Sequence, residues 1–99
     1  MPKSVKVGPL VYEIVRKPKA LMGNDLGLCK FDQLEIWMRC RLKASKSREI
    51  VWHEITHACT HPSVNDGNLH TDEQFVENVS LALLAVIRDN PQLVEYLRN

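Results

Sequence analysis

The chain has 99 residues, a formal net charge of +1 and 25% charged residues. That length suits one domain, residues 1–99, with a single modest core. The near-zero net charge argues against nucleic acid or an anionic membrane as a partner, and no apolar run approaches the roughly 20 residues that a membrane span needs.

Met1-Pro2-Lys3-Ser4 leads into no apolar signal core, so a cytoplasmic location is expected. Residues 5–15 are rich in β-branched and aromatic types and predict a strand, broken near Gly8-Pro9. Pro18 and Gly23 leave the stretch from Arg16 to Asn24 without an assigned element beyond a short turn around Leu21-Met22. Two alternating segments follow, Gly27 to Asp32 and Leu34 to Arg41, and predict a hairpin around Asp32-Gln33. In the second, Leu34, Ile36, Met38 and Cys40 fall on a core face, while Glu35, Trp37, Arg39 and Arg41 fall on a solvent face. Cys29, Cys40 and Cys59 are an odd count with no Cys-x-x-Cys pair and read as thiols in a reducing compartment.

Ser45 or Ser47 is the expected cap of a helix that starts just before Ile50 and runs to His61, where Pro62 stops it. Val51, Ile55 and Cys59 form its apolar line, and His53, Glu54, His57 and His61 gather on another side. Asp66-Gly67 marks a reversal, and Thr71 with Gln74 reads as a capping box opening a helix to about Arg88. That helix is apolar almost all round from Phe75 to Ile87 and is expected to be central. Asn90-Pro91 begins a last short helix docked by Leu93, Val94 and Leu97. The order predicts an α+β fold: a small twisted, mainly antiparallel sheet of about three strands, packed on three helices.

The chemistry concentrates in His53-Glu54-Ile55-Thr56-His57. Residues i and i+4 of a helix share a face, with Cβ atoms roughly 5–6 Å apart, so both imidazoles can reach one metal ion. In the H-E-x-x-H pattern the histidines bind zinc and the glutamate takes a proton from a water that the metal activates. A hydrolytic zinc site needs a third protein ligand. His61 lies two turns beyond His53, about 12 Å along the axis, too far to share an ion with it. His70 is a loop alternative. The helix that returns antiparallel opens with Glu73 and carries Glu77 one turn on. Glu73 is the preferred third ligand and Glu77 the alternative, with the unused carboxylate free to accept a hydrogen bond from a ligand histidine's second nitrogen.

Gly27-x-Cys29, the strand containing Ile36, His53-Glu54-Ile55-Thr56-His57-Ala58, Glu73-x-x-Val76 and Asp89-Asn90-Pro91 together resemble small phage-encoded and bacterial zinc peptidases. These are similar to minigluzincins and to the peptidase core of ImmA/IrrE-type proteins. The resemblance spans nearly the whole chain from Val5. It implies Glu73 as the third ligand and an acidic supporting residue at Glu77. Thr56 departs from the glycine that ImmA/IrrE-type proteins usually carry before the second histidine.

The resulting expectation is a zinc-dependent peptide hydrolase with a protein or peptide substrate. His53, His57 and Glu73 hold Zn2+, and Glu54 is the general base. Tyr12, His61 and His70 are the candidate oxyanion donors. The strand through Glu35, Ile36, Trp37, Met38 and Arg39 is read as the edge that pairs with substrate, and such an edge also invites self-association. A zinc-binding interaction module without peptidase activity is the alternative. A metal-free helical interaction domain, its His/Glu face merely solvated, is the third reading.

Overall fold

The computed structural model describes residues 1–61 and 73–98, with the side chains of the second stretch described from Glu77 onward. The predicted reversal at Asp66-Gly67, the cap at Thr71 and the side chains of His70 and Glu73 lie outside the described residues. The elements are β1 (Ser4–Val7), β2 (Leu10–Lys17), α1 (Lys19–Met22), β3 (Gly27–Lys30), β4 (Glu35–Arg39), α2 (Ala44–Thr60), α3 (Glu73–Asp89) and α4 (Pro91–Arg98). The α+β class is as expected. The sheet has four strands in the order β1-β2-β4-β3 and is mixed.

The extra strand comes from Gly8-Pro9, which is a reversal and not an interruption. Gly8 adopts φ 59, and Val7 pairs with Leu10 across the two-residue turn. The predicted hairpin forms as β3 and β4, with Lys30 opposite Glu35 and Gly27 opposite Met38. Leu34 closes its turn at φ 54. β2 then pairs with β4 in parallel, placing Ile14 beside Ile36 and Val15 beside Trp37. Glu35–Arg39 is therefore an inner strand. The expectation that it forms the sheet edge is incorrect, because β2 and β3 occupy both of its sides.

Alternation sends Val5, Val7, Tyr12, Ile14, Ile36 and Met38 to one face of the sheet, where they form the core with Val51, Ile55, Val86 and Leu93. α2 lies against β3 and β4, while α3 reaches β1, α2 and α4. α2 begins earlier than its serines suggest. Lys43 is the N-cap without a side-chain cap bond, and the Ser47 amide already donates to the Lys43 carbonyl at 2.8 Å. Ser47 is instead buried within the helix, facing Tyr96 of α4.

α3 is not central. Val86 is fully buried, but Leu81, Leu84 and Ile87 are 57%, 54% and 45% exposed. Only one stripe of this helix reaches the core, because it docks beside β1 instead of beneath the middle of the sheet. An apolar composition all round does not oblige a helix to be buried all round.

Asn90 joins the two ends of the fold. Its Oδ1 accepts the Lys6 amide at 2.9 Å, and its Nδ2 donates to the Lys6 carbonyl at 2.9 Å and to the Val86 carbonyl at 2.8 Å. One side-chain amide thus pairs with the edge of β1 as a neighbouring strand would. The Asn90 carbonyl accepts from Leu93 and Val94 to start α4, with Pro91 at the first helical position as expected. Asn90→Ala should cost about 1–3 kcal/mol, since it leaves these groups without their partner. The check is a lowered urea midpoint with an unchanged slope; an unchanged midpoint would refute the role.

Candidate metal centre

α2 presents three distinct sides. Val51, Ile55, Ala58 and Cys59 face the core, His53 and His57 face solvent, and Glu54 lies between, only 6% exposed. The two imidazoles converge: Nε2 of His53 lies 3.1 Å from Nε2 of His57, with ring centroids 4.8 Å apart and planes at 76°. Two nitrogens at that separation, each about 2.05 Å from one zinc ion, subtend roughly 100° at the metal, close to a tetrahedral angle. The pair fits two ligand positions. At the same distance one Nε2 can donate its proton to the other, so metal binding must displace that proton.

Glu54 is buried against β3. A Cβ built on Gly27 would come 2.5 Å from Ile50 Cγ2 and 3.1 Å from both Cγ and Oε2 of Glu54. The absence of a side chain at Gly27 lets α2 approach the strand closely enough to enclose the carboxyl. Burial pushes the Glu54 carboxyl above the usual carboxylate range. His57 and His53 pull it back down, and Asp25 adds a smaller upward push. A carboxyl raised in this way is better matched to accepting a proton near neutrality.

Sequence reasoning did not anticipate that Gly27 and Asp25 would bear on Glu54, or that Glu54 would bear on Cys29. They lie in a strand and loop more than 20 positions upstream, and no local pattern connects them. Cys29 is pushed up to about 12 by burial, by the Glu54 charge and by Cys59.

The remaining candidates are placed differently. Glu77 is exposed on α3, and among the described residues no group of three His, Cys, Asp or Glu side chains forms a metal site. His61 caps α2 and stacks on Phe31 with centroids 3.9 Å apart, and it is exposed to solvent. Tyr12 is 2% exposed and shares with His61 a cavity of about 200 Å³ between the β1–β2 turn and α2. That cavity has no lining residue in common with the groove that carries His53 and His57. The groove is lined by Glu49, Trp52, His53, Thr56 and His57, all on α2.

Gly27→Ala should destabilise the fold by about 1–3 kcal/mol, because the β-branched Ile50 has little rotamer freedom with which to yield. Thermal unfolding measures this, and an unchanged transition would show that α2 and β3 are not held as described. Cys29 should react with iodoacetamide at pH 8 at least about a hundred-fold more slowly in the folded than in the unfolded protein. Mass-spectrometric rates at the two states test it, and equal rates would contradict the burial of this thiol. The chain matches no family model, no curated protein sequence and no solved structure.

Proposed function

We propose that the protein is a zinc-dependent peptide hydrolase in which His53, His57 and Glu73 hold the metal and Glu54 is the general base. The observation that supports this most directly is the 3.1 Å approach of the two Nε2 atoms beside a carboxyl shielded from water. A bound zinc ion would supply Lewis-acid polarisation of the scissile carbonyl and a lowered pKa for a water. Glu54 takes a proton from the attacking water and passes it to the leaving amine, a role that suits a carboxyl whose proton affinity is raised by burial.

The outer edge of β3 is free among the described elements, and Glu54 packs over Gly27 of that strand, 3.1 Å from where a Cβ would stand. A substrate in extended form has there a row of backbone groups to pair with, beside the base. Cys29, Cys40 and Cys59 carry free thiols, which suits a cytoplasmic protein. No helix among the described residues is long and apolar enough to cross a membrane.

A zinc-binding interaction module is the second reading. It is favoured by the groove around the histidine pair, whose lining comes from α2 alone and which therefore has no opposing wall for a substrate among the described residues.

Zinc analysis of protein prepared without chelator should return about one ion per chain. Less than about half, with no recovery on adding zinc, would reject both readings. Glu54→Gln should keep the zinc and lose hydrolysis of an unstructured protein or peptide library by a factor of about 100 or more. Wild type that binds zinc and cleaves nothing would favour the module. Retention of stoichiometric zinc in Glu73→Ala, with loss in Glu77→Ala, would reverse the choice of third ligand.

A further inference from the structure

The sheet face turned away from the core has a chemistry of its own. Buried positions alternate with half-buried or exposed ones along β1, β2 and β4, so the helices cover a single face. On the other, Val15 of β2, Trp37 of β4 and Leu28 of β3 lie side by side across the sheet, with Trp37 in the middle. The Trp37 indole N–H donates to Glu35 Oε1 at 3.0 Å, which fixes the ring on the sheet. Two ammonium groups approach the same ring: Lys17 Nζ at 4.8 Å and Lys30 Nζ at 4.9 Å from its centroid.

Towards the ends of β2 and β4 the face becomes basic. Lys17 lies directly opposite Arg39. Like charges so placed repel, and a bound anion would relieve that repulsion. Just beyond them Lys19 and Arg41 line a concavity of about 340 Å³ with Pro18 and Cys40. Among the described residues the ion pairs are Lys6 with Asp89 and Lys46 with Glu49, so Lys17, Lys19, Arg39 and Arg41 have no carboxylate partner there. Glu13 and Glu35 are also opposed on this face, one step to the other side of Trp37. They bound the basic strip and direct it from Trp37 towards Arg41.

We propose that this strip binds single-stranded nucleic acid, with a base stacked on Trp37 and the adjoining phosphates held by Lys17, Arg39, Lys19 and Arg41. Flexible lysine ammoniums that rest on the indole can move to phosphates and leave the ring to a base. An acidic peptide would satisfy the cations but give the indole no partner, so the aromatic and the charges together favour a nucleic acid. The net charge of +1, which argues against nucleic acid for the chain taken as a whole, is outweighed locally, because folding gathers on one strip cations that are scattered in sequence. The site lies across the sheet from α2 and is independent of metal.

The test is fluorescence anisotropy of labelled oligo-dT and oligo-U of about 20 nucleotides, in low salt, with the full chain. The expected result is saturable binding that weakens as salt rises. Lys17→Glu with Arg39→Glu should weaken it at least about ten-fold, and Trp37→Ala about five-fold or more, while Trp37→Phe retains most of it. Far-ultraviolet circular dichroism and melting establish that each variant is folded. Should the strand variants fail to fold, Lys19→Glu with Arg41→Glu, outside the strands, must give the same loss. Absence of binding at about 100 μM protein would overturn the proposal, since even non-specific association is tighter at low salt. So would binding unaffected by either charge-reversed pair, equal competition by polyglutamate, which would identify an acidic peptide, or equal affinity for duplex.

Discussion

The close approach of α2 to β3 at Gly27 is the constraint on which the rest of the site depends. A side chain at that position would meet Ile50 and Glu54, and α2 would have to stand off from the sheet. With hydrogen there instead, Glu54 is enclosed while His53 and His57, on either side of it in sequence, keep their rings in solvent. One helix surface thereby offers two accessible nitrogen donors and one shielded carboxyl. Those are the contrasting environments that metal binding and proton transfer each require.

The sheet order has a second consequence. Because β2 returns alongside β4, the hairpin strand that carries Trp37 is interior, and the free edges fall to β1 and β3. Asn90 occupies part of the β1 edge with its side-chain amide. Among the described residues β3 is left as the open edge, and it is the strand against which Glu54 packs. The same topology brings Lys17, near the start of the chain, level with Arg39. The two faces of one sheet thus carry unrelated chemistries, an apolar core beneath the helices and a basic aromatic strip opposite.

Much of the local structure was legible in the residues. The β3–β4 hairpin follows from alternation, the end of α2 from the proline after His61, and the start of α4 from Asn90-Pro91. Each of these depends on neighbours within a few positions. The misreadings share a different cause. Gly8-Pro9 breaks a strand or reverses it depending on whether the two halves find each other, and Ser45 and Ser47 cap a helix only if the turn before them is not already helical. An all-round apolar α3 suggests a central helix, yet Leu81, Leu84 and Ile87 are exposed because the position of a helix is set by what it docks against.

For the site, the sequence by itself determined the spacing of His53 and His57 on one helical face and the carboxyl between them, since an α-helix converts a four-residue interval into adjacency. It could not determine that Glu54 would be buried, that Gly27 and Asp25 would bear on it, or that Glu35–Arg39 would lose its edge to a parallel neighbour. Nor could it show that cations more than 20 residues apart would meet beside Trp37. Those outcomes depend on contacts between segments distant along the chain, and the closing of the sheet and the docking of α2 on it decide which segments meet.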